Sequence, residues 1–291
     1  MTTNGRAQAS GHDFAKRDAP LALNLLSRMK PGRWALGLVV PALLVLFWQI
    51  AGDLGWTPPG SIPTPAAVVE SWYIWIFGPV TPLAWHSGTW TFYVLLSLRR
   101  VAAGFAIASA TGVTFGLLLG WYALVNDLFD GLINFLRAIP TTAWVPFTVF
   151  FFGIHESAAV FLIAFGAFFP IAMSVAAGAR QTPRTLTRAA LMLGTPPRRL
   201  LRRVVLPATL PSTFAGLRIG LGLSWVLVIV SEMLAVQGGL GYALWSAYQV
   251  NRLDLIVDAI VSVGVLGLMS DWLLVKLSRM TLRWQRGLVG Q

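Results

Sequence analysis

The chain has 291 residues, of which 56% are hydrophobic and only 11% are charged, whereas about a quarter of the residues in a typical soluble domain are charged. This composition excludes a soluble globular protein and is typical of a multi-pass membrane protein. Because the sequence contains no cysteine, disulfide bonds, cysteine-ligated metals and thiol catalysis are also excluded.

The positive charge is concentrated in a few places. The net charge is +11, and most of the 22 basic residues lie in three segments, 1–33, 180–203 and 276–291. Basic clusters beside apolar spans are what the positive-inside rule predicts for cytoplasmic segments. We therefore assign the charge to membrane orientation and not to nucleic-acid binding.

The N-terminal part predicts a tail, a first span and a long outer loop. Residues 1–33 predict a flexible basic cytoplasmic tail, and the uncharged run 34–51 is just long enough to cross a bilayer. Residues 52–88 contain prolines and acids but no Arg or Lys, which indicates an outer loop. Within it, Thr64-Pro65 predicts the start of a short helix on the outer membrane surface, with an apolar face of Val68, Val69, Trp72, Tyr73 and Ile76.

Two spans with unusual residues follow. The second span, residues 90–121, precedes a predicted inner turn at Asn126-Asp127. The third, residues 128–152, contains Pro140 and Pro146, which predict kinks beside a cavity. One face of the second span predicts close helix packing through Gly104, Gly112, Gly116 and Gly120.

The remaining spans are residues 157–179, 212–234 and 253–276, with a loop or re-entrant segment at 235–253 and a basic tail at 277–291. Four spans separate the N-terminal tail from the central basic segment, and two separate that segment from the C-terminal tail. The sequence therefore predicts an all-α membrane protein whose transmembrane domain, residues 34–276, has six helices. Because both numbers of spans are even, the three basic segments lie on the same side of the membrane, so both termini are predicted to be cytoplasmic.

The central basic loop, residues 180–211, carries its own helix signals. Thr182-Pro183 predicts an N-cap followed by proline at the first helical position, and Gly194 predicts a left-handed turn at the helix end. A second short helix is predicted up to about Val205, before Pro207 and Pro211 break the chain.

Charged residues inside spans are costly and mark ion pairs or a translocation path. Arg99, Arg100, Arg137 and Glu232 are the candidates for either role. Either Arg100 or Arg137 could pair with Glu232, and the sequence does not choose between them.

Enzyme motifs are missing. The sequence has no GxxxxGK[ST] phosphate loop, no metal-ligand spacing among its three histidines and no GxSxG nucleophile motif, so we expect a non-catalytic chain without a bound cofactor or metal. An ion-driven secondary transporter using Glu232, Asp258 and Asp271 is an alternative, although no inverted repeat is evident. A membrane-embedded enzyme is a weaker one.

The basic loop resembles the cytoplasmic signature of the permease subunits of bacterial ATP-binding-cassette importers, Glu-Ala-Ala, three residues, Gly, nine residues and Ile-x-Leu-Pro. Arg188 stands where the family has the leading Glu, which puts any contact made by that Glu in doubt. The residues at the signature positions are Arg188, Ala189, Ala190, Gly194, Val204, Leu206 and Pro207.

The resemblance extends over roughly residues 36–286 and is closest to the aliphatic sulfonate, taurine and nitrate branch. The phrase FGIHES at 152–157 is similar to sulfonate and taurine members, whereas SLRRVAAGF at 97–105 and WSAY at 245–248 are similar to nitrate and cyanate-type members.

This resemblance implies a type I importer permease in a bacterial inner membrane. It implies a homodimer whose coupling loop docks two copies of an ABC ATPase, which bind ATP and Mg, with a periplasmic or lipid-anchored solute-binding protein as a further partner. Spans three to five would line the path between the permeases. The implied substrate is a small anion, an aliphatic sulfonate or taurine, with nitrate, bicarbonate or another small solute as alternatives.

Overall fold

The computed structural model describes residues 33–56, 62–79 and 86–282. Most of both predicted tails therefore lies outside the described residues. Within the described ranges all regular structure is helical: α1 Arg33–Asp53, α2 Pro65–Phe77, α3 Trp90–Trp121, α4 Ala123–Ala138, α5 Val145–Phe152, α6 Glu156–Arg180, α7 Arg184–Met192, α8 Pro197–Leu200, α9 Leu206–Leu234, α10 Leu240–Gln249 and α11 Leu253–Thr281.

Among the described residues, four helical segments are long and apolar enough to cross a membrane: α3, α6, α9 with the π-helical turn Leu201–Val205 before it, and α11. A fifth crossing results if α4 and the segment Thr141–Phe152 count as one broken span. α11 continues to Thr281, five residues beyond the predicted end of the last span.

The chain divides into two compact units, with the boundary in the sequence between Ala66 and Ala67. In the first unit, the Gln49 side chain at the end of α1 donates to Asp53 at 3.0 Å and accepts from the Ala66 N–H at 3.2 Å. These bonds tie the start of α2 to the end of α1.

The second unit is built around α6, which lies between α3 and α9. Its fully buried side chains include Leu162, Ile163 and Ile171. The predicted glycine packing of α3 is confirmed: a Cβ on Gly104 would lie 2.6 Å from Ile163 Cγ2, and one on Gly120 would lie 2.5 Å from Ala179 Cβ. Only glycine lets the two backbones approach this closely.

Helix α2 packs on this unit with a face other than the predicted one. Val68, Ser71 and Trp75 are buried, whereas Val69 and Tyr73 are each 65% exposed. The predicted face is therefore wrong in part, because the indole of Trp75 inserts among α3, α10 and α11 and its Nε1 donates to Thr89 Oγ1 at 3.3 Å.

The third span is broken and not merely kinked. Its two halves meet at an angle of 88° beside Pro140. The predicted kink at Pro146 is wrong, because this proline lies in the first turn of α5, where its missing N–H has no helical partner to lose. The predicted inner turn at Asn126-Asp127 is also wrong: the chain turns at Tyr122, and both residues lie in α4.

The expected breaks at Pro207 and Pro211 do not occur either. Pro207 lies in the first turn of α9, directly after the π-helical turn, and Pro211 is accommodated inside that helix. The loop therefore enters the membrane-length helix without an interruption, earlier than the predicted start at residue 212.

Candidate functional site

The loop between α6 and α9 ends its first helix with a Schellman turn. The Thr195 N–H donates to Ala190 O at 3.1 Å, and the Gly194 N–H donates to Leu191 O at 2.9 Å. Gly194 has a φ of +73°, a conformation that strains any residue with a Cβ. The predicted left-handed turn at Gly194 is confirmed.

The predicted N-cap at Thr182 is wrong. Pro183 occupies the cap position with a ψ of 126°, and α7 begins at Arg184. Thr182 is therefore one residue too early to reach the free N–H groups of the helix, and its buried Oγ1 makes no hydrogen bond within the described residues.

Helix α7 and its turn expose several large apolar side chains, although they lie in the most basic part of the chain. Met192 and Leu193 are 88% and 86% exposed, and Leu186 and Leu191 are about half exposed. The signature residues Arg188 and Ala189 are exposed beside them. Large exposed apolar side chains beside charged ones are typical of a protein-docking surface. We call these six residues the α7 surface.

The second half of the signature belongs to a different element. Val204 lies in the π-helical turn, and Leu206 and Pro207 open α9. All three side chains are partly buried. The signature thus runs from an exposed helix, across the turn at residues 193–196, into the base of a membrane-length helix.

Away from the basic loop, Arg100 in the N-terminal third of α3 pairs with Glu232 near the C-terminal end of α9. The Nη1 to Oε1 distance is 2.9 Å, and both side chains are 2% exposed or less. Arg100 also donates to Gly238 O at 2.6 Å. The structure thereby decides between the two arginines that the sequence left open.

Ser97 and the start of α10 complete this ion-pair cluster. The Ser97 hydroxyl lies 2.8 Å from Glu232 Oε1 and accepts from the Leu240 N–H at 2.9 Å, while the Gly241 N–H donates to Glu232 Oε2 at 2.9 Å. The carboxylate therefore caps the N-terminus of α10. Sequence reasoning missed Ser97, although its position three residues before Arg100 places both on one helical face.

The turn between α9 and α10 needs its glycines. Gly239 has a φ of +109°, and a Cβ there would collide with the Glu232 carboxylate. Gly238 and Gly239 thus serve a turn, and this turn closes around a buried acid.

The other candidate charges are distributed differently. Glu156, at the start of α6, lies 3.6 Å from Arg100 and 3.9 Å from Arg99, which is 76% exposed. Arg137, in the last turn of α4, is exposed and forms no ion pair within the described part of the chain. The structure thus joins Arg99, Arg100 and Glu232 into one region and leaves Arg137 apart, beside the break of the third span.

The acids considered for an ion-driven transporter are engaged or enclosed. Glu232 is paired as described, and Asp271 on α11 binds Arg218 on α9 through two contacts of 2.6 and 2.7 Å. Asp258 is fully buried. The ion pairs of Glu232 and Asp271 thus tie helices together, and the three acids do not form a row of free carboxylates.

Comparison with known proteins then decides the family. The profile of the binding-protein-dependent transport system inner membrane component matches residues 112–282, which is more than half of the chain. The chain belongs to this family. The matched region of the permease begins within α3, contains the whole basic loop and ends with α11.

Three curated relatives of the permease cover most of its length. It is 30% identical to the putative aliphatic sulfonates transport permease SsuC of Bacillus subtilis, over 90% of this chain and 94% of the relative. It is 40% identical to the bicarbonate transport system permease CmpB of Synechococcus elongatus, over 65% and 68%. It is 32% identical to the nitrate import permease NrtB of a Synechocystis species, over 80% and 84%.

A solved structure shares the fold of the permease. A chain of the MetNI methionine ABC transporter in an inward-facing conformation superposes with a TM-score of 0.61 at 21% identity, and the match covers 69% of this chain and 99% of the other. The family match and the relatives make the protein an ABC transporter permease, and this likeness gives it the helical fold of that transporter.

Proposed function

We propose that this permease forms the membrane path of an ATP-driven importer, in which the α7 surface docks a separate ATPase. The observation that carries the proposal is the combination of exposed Leu191, Met192 and Leu193 with the rigid turn at Gly194. An isolated permease has no use for such a surface, whereas a docked ATPase would bury it. The signature residues Arg188, Ala189 and Ala190 lie in the same helix.

The connection between the loop and α9 suits a mechanical role. Through Val204, Leu206 and Pro207 the second short helix, α8, continues into α9 without a break, and the Schellman turn at Gly194 joins α7 to it. A rigid-body movement of the ATPase subunits would therefore reach the membrane helix as a movement of its base. The ATPase would supply ATP and Mg, with no cofactor on this chain.

The broken third span marks the proposed path. Non-helical backbone at membrane depth is tolerated only where it is buried in protein or lines a water-filled cavity. Arg137 lies at this break, is exposed and has no ion pair among the described residues, so it can attract an anion. Arg99 is 76% exposed and can do so as well, although Glu156 lies 3.9 Å away. Arg100 and Glu232 are committed to each other, so we assign them to holding the helices.

The proposed assembly is a homodimer in a bacterial inner membrane, with two ATPase copies and a periplasmic or lipid-anchored solute-binding protein. In this arrangement α1 supplies one crossing and the broken segment another, which makes six, and both termini are cytoplasmic. The basic loop would then face the cytoplasm, as the positive-inside rule requires.

The proposed substrate is a small organic anion, an aliphatic sulfonate or taurine. The near full-length similarity to the sulfonate permease of Bacillus subtilis and the FGIHES phrase support it. Bicarbonate or nitrate is the second candidate, favoured by the higher identity to the bicarbonate permease over a shorter stretch.

Reconstitution tests the function. The permease, its partner ATPase and the solute-binding protein are placed in liposomes, and uptake of labelled taurine, an alkanesulfonate, nitrate and bicarbonate is measured with and without ATP. We expect uptake only with all components and ATP. Uptake by the permease alone, driven by an ion gradient, would refute the proposal.

A substitution tests the docking surface. Gly194→Val strains the turn that presents Leu193, so we expect the ATPase to co-purify poorly and uptake to fall at least about tenfold, because the strain costs about 1–2 kcal/mol and misplaces the docking residues. Gly55→Val is the matched control, since Gly55 has a φ of +68° and both glycines have open space where a Cβ would lie. Equal losses in the two variants would contradict the assignment of the loop.

A further inference from the structure

We propose that a cleft between α9 and α11 binds the headgroup of an anionic phospholipid. The cleft has a volume of about 310 Å³. Phe214, Leu274 and Val275 form apolar walls, and Arg218, Ser278 and Arg279 supply the polar groups. The inference rests on the membrane crossing of α11 and is independent of the transported substrate.

The depth of the cleft matches the headgroup layer. An α-helix rises about 1.5 Å per residue, so Asp271 lies about 27 Å along α11 from Leu253, close to the far edge of a hydrocarbon core that is about 30 Å thick. Arg279 lies about 12 Å further along, among headgroups. The paired charges Arg252 and Asp254, 2.6 Å apart at the start of α11, mark the other polar boundary.

The cleft offers donors that are not used elsewhere. Arg218 binds Asp271 through Nε and Nη2, which leaves Nη1 for another acceptor, and its side chain is 61% exposed. Arg279 is exposed and has no ion pair among the described residues. With Asp271 neutralising one arginine, the cleft carries one net positive charge, which complements the single negative charge of a phosphodiester.

The neighbouring face of α11 supports an interfacial position. Trp272 is 62% exposed, and the Lys276 ammonium lies 5.1 Å from its ring centroid. Exposed tryptophan next to a basic residue is characteristic of the membrane–water boundary. An apolar wall reaching toward the core and a basic rim at the headgroups is the arrangement that recognises an anionic lipid and not a free anion.

Lipid retention tests this proposal. The full-length permease is purified in detergent and titrated with phosphatidylglycerol or phosphatidylcholine, and bound lipids are counted by native mass spectrometry. We expect one phosphatidylglycerol to bind at least about tenfold more tightly than phosphatidylcholine, and Arg279→Gln to weaken it about tenfold, as expected for one charge-assisted hydrogen bond. Arg218→Gln combined with Asp271→Asn preserves the net charge and should weaken binding similarly.

Lys276→Gln is the matched control, because it removes one positive charge from the same turn of α11 outside the cleft. Melting temperatures in phosphatidylcholine establish that each variant is folded, and Arg279→Lys should restore part of the affinity. The proposal is overturned if Lys276→Gln and Arg279→Gln weaken binding equally, which would indicate diffuse attraction to the membrane surface. Displacement of the lipid by an equal concentration of inorganic phosphate would also overturn it.

Discussion

Replacing Arg100 should be among the most damaging single changes in the second unit. Arg100→Met removes the cation from a fully buried carboxylate and leaves Glu232 with two neutral donors, the Ser97 hydroxyl and the Gly241 N–H. Breaking a buried pair in this way costs about 3–5 kcal/mol. Glu232→Gln keeps an acceptor for Arg100 and should cost less, about 1.5–3 kcal/mol.

The double variant separates the pair from its surroundings. When Arg100→Met is combined with Glu232→Gln, the neutral amide no longer leaves a buried charge, so we expect the two single losses to add to about 2 kcal/mol more than the double variant shows. Unfolding free energies of the full chain in mixed micelles, titrated with dodecyl sulfate and followed by tryptophan fluorescence, measure this coupling. Arg99→Met is the control, because Arg99 is 76% exposed and its ion pair with Glu156 is long, at 3.9 Å. A coupling near zero, or an Arg100→Met loss no larger than that of Arg99→Met, would refute the assignment of the cluster.

Two further predictions concern packing and pH. Gly104→Leu places a side chain against Ile163 and should destabilise the permease by about 1–3 kcal/mol or more. Gly131→Leu is the control and should change the stability little, because a side chain there would meet open space. Equal unfolding midpoints for the two variants would contradict the packing of α3 on α6. Burial, reinforced by Arg252 and opposed by Asp254, holds the pKa of His86 below its ordinary value of about 6.5. The stability that the neutral histidine contributes is therefore full above about pH 6.5 and declines as the pH falls from there toward its folded-state pKa. The melting temperature of His86→Gln should then depend less on pH, between about pH 5 and pH 7, than that of the unsubstituted permease. The same pH profile in both proteins would show that His86 is not responsible.

Local features of the sequence were sufficient for the membrane class, the spans around α3, α6 and α11, the turn at Gly194 and the glycine face of α3. Each depends on composition or on spacing within one helix, and the chemistry of a short stretch decides it. The loop signature was readable for the same reason, and it pointed to the family that the comparisons then showed.

Proline was the least reliable local signal. Pro207 and Pro146 predicted interruptions, yet Pro146 lies in a first helical turn, where a missing N–H costs nothing, and Pro207 directly follows a π-helical turn in a continuous helical run. Pro140, in contrast, accompanies a full break. The proline alone does not decide the outcome, which depends on the helical geometry of the residues before it.

The sequence by itself determined that charges lie inside spans, and only the tertiary structure decided their partners. Arg100 and Arg137 are both arginines within predicted spans, so the sequence cannot tell them apart. The packing of α3 and α9 brings Arg100 to Glu232, which lies 132 positions away in the sequence. Ser97, the Gly238 carbonyl and the Gly241 N–H then complete the coordination. A buried charge is stable only where several chain segments converge to satisfy it, and that convergence is a property of the packed bundle and not of any one helix.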